Sequence, residues 1–236
     1  MTTDRAPARP ARHRLLALPA VLGVALGAAA CSGEDGSGLS YAAVRSTAQQ
    51  LRQQDSAACP FGLDLAAALK DAGIDRAVTP GSGNDRPVVG ETGDGTPPYP
   101  WPSGISPSPT TASAPGLPAH AWITCVWTAG GSTLQLDLEA VPLDDVGVNM
   151  MLPAIQRAAG LSADDLGPVA TGRPKPGGKP VLTPGRTPVA IARVPLDGDG
   201  DLVLMLSRSG PDAADPALTG APLGTVLDGL RARIHG

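Results

Sequence analysis

Residues 120–141 constrain the fold most, because they predict an antiparallel hairpin with two chemically different faces. Residues 120–129 are rich in Trp, Ile, Thr and Val, and a glycine pair at 130–131 separates them from a second apolar run at 132–141. The glycine pair is typical of a two-residue hairpin turn. In the second run, leucines alternate with polar residues: Leu134, Leu136 and Leu138 with Gln135, Asp137 and Glu139. This alternation predicts one buried face and one face in water.

The first strand carries two tryptophans that period-two geometry places on opposite faces. Trp127 shares a face with Cys125, and Trp122 shares the other with Thr124. If Cys125 bridges to the helical segment before it, Trp127 lies in the core and Trp122 on the open face. An open-face tryptophan is a candidate anchor for a partner, so Trp122 is the predicted partner contact. Cover of Trp122 by a neighbouring loop is the alternative.

The remaining periodic segments complete an α+β fold class. Apolar residues recur at helical spacing in 39–54, 64–72 and 144–159, with Asp144 as the expected cap of the third helix, and 218–234 is predicted as a closing helix. Residues 188–195 and 201–207 predict a second hairpin. The order is αα-loop-ββα-loop-ββα, which predicts a four-stranded, mainly antiparallel sheet with helices on one face.

Residues 79–119 break this pattern. Of these 41 residues, 10 are Pro, 7 are Gly and 10 are Ser or Thr. Such a composition buries too little apolar surface to offset the entropy of ordering the chain. We therefore expect 79–119 to be a disordered loop that interrupts a single α+β domain spanning 39–236.

The N-terminus predicts export. Residues 1–14 contain four Arg and one Asp, and residues 15–30 are uncharged and apolar, too short for a stable membrane span. Small residues then precede Cys31, in an arrangement that resembles the lipobox of bacterial lipoproteins. The resemblance implies that residues 1–30 are a signal peptide, that Cys31 is lipidated, and that 31–38 form a tether at the membrane. An ordinary secretory signal with a coincidental cysteine is the alternative.

Two cysteines remain once Cys31 is assigned to lipid. An even number in an exported chain predicts one disulfide, Cys59–Cys125, which closes a loop of 66 residues. In the chain-entropy model such a bridge stabilises the fold by about 4 kcal/mol. Two buried free thiols are the alternative.

The sequence contains no recognisable catalytic, metal or cofactor motif. The net charge of −4 excludes a generic nucleic-acid binder. Three alternating aspartates at 197–201 suggest calcium, but an EF-hand loop would need Gly and Glu where Leu202 and Arg208 stand. A tight turn explains these aspartates better. His120 and His235 lie at a loop border and at the C-terminus, where a general base would be poorly held. No catalytic residue, metal ligand or cofactor is predicted.

The lipobox, a helical segment around Cys59 with Pro and Gly next to it, and the sequence Cys125-Val126-Trp127 together resemble small cell-envelope lipoproteins of actinobacteria. The chain is more loosely similar to extracellular sensor domains of actinobacterial receptor kinases. An excess of 15 Arg over 3 Lys agrees with a high-GC genome. The resemblance implies an envelope location and a small α+β fold.

The sequence thus predicts a lipid-anchored binding or protein-interaction module without catalytic activity, on the extracytoplasmic face of the cell membrane. Its expected partners are the membrane, through the lipid, and an envelope protein or wall polymer. One alternative is a cell-wall-active hydrolase or its accessory, which would have a cleft with converging acids or a Ser/His pair. The other is an envelope sensor acting through a partner, which would have a flat surface and no cleft.

Overall fold

The computed structural model describes residues 38–82, 86–100, 113–209 and 215–236. The predicted signal peptide, the predicted lipidation site Cys31 and almost all of the predicted tether lie outside these residues. No helix in the described ranges is long and apolar enough to cross a membrane. The elements, in chain order, are α1 (Tyr41–Gln53), α2 (Leu65–Asp71), β1 (Val78–Pro80), β2 (Val88–Gly93), β3 (His120–Ala129), β4 (Ser132–Val141), α3 (Gly147–Ala159), α4 (Leu166–Thr171), β5 (Val181–Leu182), β6 (Ala190–Val194), β7 (Asp201–Ser209), a 3₁₀ turn (Pro216–Leu218) and α5 (Ala221–Arg231).

The described strands form one antiparallel sheet of seven strands, so the predicted four-stranded sheet is wrong. The order is β1-β3-β4-β7-β6-β5, and β2 lies beside β1 on the same edge of β3. The two predicted hairpins form the centre, β3–β4 and β6–β7. The three additional strands are β1, β2 and β5, which come from Pro- and Gly-rich segments. Their backbones pair with the central hairpins even though their own side chains give little periodic signal.

The prediction that 79–119 is a disordered loop does not hold at residues 88–93, which form strand β2. β2 pairs with β3 from Val88 opposite Cys125 to Gly93 opposite His120, and Val88 is 1% exposed. Gly90 lies so close to α1 that a Cβ there would meet Cβ of Leu51 at 2.8 Å. The glycine that lowers strand propensity is therefore what lets α1 pack on β2. Residues 83–85 and 101–112 lie outside the described ranges.

Helices cover both faces of the sheet, so the prediction of helices on one face is also wrong. α1, α2 and α5 pack on the face that carries Cys125, Trp127 and the three leucines of β4. α3 packs on the opposite face against β4 and β7, with α4 beside it. The reason lies in β6 and β7, in which almost every residue is buried. Strands that are apolar on both sides need cover on both sides.

α3 begins differently from the sequence expectation. Asp144 does not cap it; its carboxylate accepts a hydrogen bond from the backbone N–H of Gly200 at 3.0 Å. Asp201, from β7, accepts the N–H of Gly147 at 2.9 Å. The same Asp201 pairs with Arg193 at 2.8 Å, and both side chains are at most 5% exposed. A buried ion pair on the sheet thus fixes the start of α3.

The disulfide joins the helical layer to the sheet, as predicted. Cys59 and Cys125 are bonded, with their Cα atoms 5.8 Å apart. Cys125 is fully buried, and Trp127, two residues further along the same face, is 6% exposed. The bridge therefore fixes the segment before α2 to the centre of β3, and Trp127 lies in the core.

Candidate functional site

The face opposite the disulfide contains an open cleft of about 720 Å³ between the sheet and the C-terminal half of α3. Its floor comes from β2, β3, β4 and β7, and one wall comes from α3. The lining combines apolar, polar and charged side chains: Val89, Glu91, Trp122, Thr124, Gln135, Asp137, Ala154, Arg157, Ala158, Met205, Ser207, Arg208 and Ser209. The predicted contact residue Trp122 is thus brought into a concave site.

Trp122 is held at the floor by two neighbours. Its indole Nε1–H lies 2.9 Å from Oγ1 of Thr124 and 3.3 Å from Oδ1 of Asp137, and it donates to both. The Thr124 hydroxyl in turn donates to the same Oδ1 at 2.7 Å. A side chain with its only polar atom bonded on two sides has one favoured orientation. Trp122 is therefore a fixed aromatic surface.

Asp137 is the centre of this network. The amide Nε2 of Gln135 donates to Oδ1 at 3.0 Å and to Oδ2 at 2.8 Å, and Asp137 is only 1% exposed. Burial raises the pKa of Asp137, whereas the hydrogen bonds from Thr124, Gln135 and Trp122 and the charge of Arg157 oppose that rise. Because both oxygens already accept bonds, the carboxylate acts within the protein as an orienting group.

The rim carries charges of both signs. Glu91 on β2 and Arg157 on α3 are exposed, and Arg208 at the end of β7 is partly exposed. With Asp137 at the floor, the lining contains two acids and two bases. The cleft therefore has no large net charge.

Glu139 lies two residues after Asp137 on the same face of β4, directly opposite Trp122 in the β3–β4 register. It is 2% exposed, and its Oε2 has no hydrogen-bond partner among the described residues. Burial, together with the charges of Asp137 and Asp201, raises the pKa of Glu139 to about 8. Glu139 is therefore protonated at neutral pH.

The sequence predicted the shared face of these residues but not their burial. Gln135, Asp137 and Glu139 do lie on the face of Trp122, beside Met205. The expectation that this face is in water is wrong for Asp137 and Glu139, because α3 packs on this face and Trp122, Thr124 and Gln135 surround the Asp137 carboxylate. The network itself was missed, although a hairpin closed at 130–131 places Thr124 opposite Asp137. That pairing was the signal from which it could have been found.

The Ser/His pair that many hydrolases use is not assembled in the described lining of the cleft, which contains serines but no histidine. His120 and His235 are absent from its lining, and each has a ring nitrogen near a backbone carbonyl, of Pro118 and Arg233 respectively. Ser207 lines the cleft, but its hydroxyl donates to the carbonyl of Gln135 at 3.5 Å. In the described part of the chain, no group of three or more His, Cys, Asp or Glu residues could hold a metal ion.

Comparison with protein-family models, with curated proteins and with solved structures finds no match for this chain. A proposal for its function therefore rests on the geometry of the cleft.

Proposed function

We propose that the chain is a binding module without catalytic activity whose ligand site is the cleft around Trp122. The observation that carries this proposal is the fixed indole, held by Thr124 and Asp137 at the floor of an open cleft. A large aromatic side chain that is already ordered loses little entropy when a partner covers it. A buried hydrogen-bond network that orients one aromatic residue is typical of a recognition site.

The proposal includes a lipid anchor on Cys31 and a location at the extracytoplasmic face of the cell membrane. Its support is the sequence of residues 1–31, with a basic start, an apolar run and small residues before the cysteine. The likeness of this signal, and of Cys125-Val126-Trp127, to small actinobacterial envelope lipoproteins supports the same location. An envelope protein or a wall polymer is the class of partner within reach of such an anchor.

A wall-active hydrolase is the second candidate, because Glu91 and Asp137 both line the cleft. A glycoside hydrolase needs two carboxyl groups that reach the substrate, one as acid and one as base or nucleophile. Asp137 is 1% exposed and accepts hydrogen bonds on both oxygens, so it is poorly placed for either role. This favours binding over hydrolysis. The sensor alternative, which expected a flat surface without a cleft, has no support from this geometry.

The experiment is a pull-down from detergent-solubilised membranes with the full, lipid-bearing chain as bait. Trp122→Ala is compared with Trp127→Phe, a change of the other β3 tryptophan on the far face of the sheet. Partners that the wild type and Trp127→Phe retain, and that Trp122→Ala loses, support the cleft as the binding site. Equal capture by all three baits contradicts it. Release of wall fragments by the wild type, lost in Glu91→Gln, would favour the hydrolase instead.

A further inference from the structure

We propose that the cleft binds a neutral oligosaccharide through the ring face of Trp122. This inference rests on the proposed binding function and names its ligand class. It follows from three properties of the lining: what Trp122 presents, which polar atoms remain available, and how the charges balance.

Trp122 presents carbon to the cleft. Its only polar atom, Nε1–H, is already donated to Thr124 and Asp137 within the protein. A ligand that contacts the indole from the cleft therefore meets ring carbons and not a free polar atom. The natural counterpart is a surface of C–H groups, which carries a weak positive potential and complements the negative ring face.

The groups around Trp122 suit a ligand with many hydroxyls. Gln135 uses its Nε2 on Asp137, and its Oε1 accepts no hydrogen bond from the described residues. Ser209 adds a hydroxyl, which both donates and accepts, and Ser207, whose hydroxyl donates to Gln135, adds an oxygen that can accept. The cleft thus offers an amide oxygen and serine hydroxyls as hydrogen-bond partners for the hydroxyls of a ligand. A purely apolar ligand such as an acyl chain would leave these polar groups unpaired.

The mixed charges of the lining disfavour strongly charged ligands. The lining has two acids, Glu91 and Asp137, and two bases, Arg157 and Arg208. A site for a polyanion would concentrate basic side chains, and a site for a basic peptide would concentrate acidic ones. Neither sign dominates here.

A pyranose ring has the required combination of features. One of its faces is a patch of C–H groups, its edge carries hydroxyls, and it has no charge. The volume of about 720 Å³ is within the range of small-ligand sites, roughly 300–1,000 Å³. The openness of the cleft to solvent permits a chain of such rings to continue beyond the site.

The test is a titration of the full chain, in detergent, with three neutral tetrasaccharides: β1→4-linked glucose, β1→4-linked N-acetylglucosamine and α-linked mannose. Binding is measured by calorimetry, with tryptophan fluorescence as a second readout. We expect saturable binding of at least one of them, weakened roughly 30-fold or more in Trp122→Ala, as for a buried aromatic contact. Gln135→Leu should weaken it as well, and Trp127→Phe should leave it within about twofold of wild type.

The outcomes separate this inference from the proposed function. Saturable, Trp122-dependent binding of a tetrasaccharide supports both. If none of the three saturates, yet the membrane pull-down yields a partner that depends on Trp122, the saccharide inference is wrong and the cleft remains a binding site. If tetrasaccharide binding is unchanged in a folded Trp122→Ala, checked by circular dichroism, the ring face does not bind it and the inference is also wrong. If neither experiment gives Trp122-dependent binding, both are wrong.

Discussion

Glu139→Gln should change how the stability of the protein depends on pH. Burial and two neighbouring carboxylates raise the pKa of Glu139 from 4.5 to about 8 in the folded state. In the unfolded chain the carboxyl loses its proton near pH 4.5, whereas the folded protein keeps it. Unfolding then releases a proton, so the free energy of unfolding falls as pH rises from about 4.5 to about 8. Above pH 8 both states are ionised, and this contribution is constant.

The magnitude follows from the shift. Each pH unit between the two pKa values is worth about 1.4 kcal/mol, so Glu139 lowers the stability of the wild type at pH 7 by up to about 3 kcal/mol relative to low pH. Gln has the same shape and does not titrate. The amide of the variant has no partner at the position where Oε2 now has none among the described residues. This lowers the free energy of unfolding of the variant by a constant of about 1–3 kcal/mol at every pH. The quantity to compare is therefore the slope and not the absolute stability.

The assay is urea denaturation of wild type and Glu139→Gln at pH 5, 6, 7 and 8, followed by circular dichroism. Between pH 5 and pH 8, we expect the free energy of unfolding of the variant to rise by at least about 2 kcal/mol relative to that of the wild type. Glu91→Gln is the matched control, since Glu91 is on the other side of Trp122 in the same row of the sheet but exposed. The slope of the Glu139→Gln profile is measured relative to the slope of this control. Parallel profiles for Glu139→Gln and wild type would refute the assignment of a buried, protonated Glu139.

Three other tests concern the core, the bridge and the buried ion pair, each by thermal and urea denaturation. Trp127→Ala removes a side chain that is 6% exposed and should lower the free energy of unfolding by about 3–5 kcal/mol. Trp122→Ala should lower it by about 1–3 kcal/mol, because Asp137 loses one hydrogen-bond donor. The reverse order would mean that the two faces of the sheet are misassigned. Replacing Cys59 and Cys125 by Ala should cost about 4 kcal/mol, and no loss under oxidising conditions would contradict a bridge in solution. Arg193→Ala removes the positive charge beside the buried Asp201 and should lower the free energy of unfolding by about 3–5 kcal/mol. A loss below about 1 kcal/mol would contradict the ion pair.

Local sequence determined the central strands of the sheet. The glycine pair at 130–131 fixes the β3–β4 register, because a two-residue turn leaves one pairing in which Thr124 faces Asp137. The alternation of Leu134, Leu136 and Leu138 with polar residues then decides which face is apolar. The bridge from Cys59 followed from an even cysteine count in a chain predicted to be exported.

Only the tertiary structure decided the edges and the cover of the sheet. β2 forms from a Gly- and Pro-rich segment because its backbone pairs with the edge of β3. The sequence of the segment itself gives no sign of this pairing. The polar face of β4 is covered in part by α3, whose start Asp201 fixes from another strand, 54 residues after Gly147. Alternation along a strand separates its two faces, but it cannot say whether a helix will later cover the polar one. The cleft exists because α3 covers part of that face and leaves Trp122 at its floor.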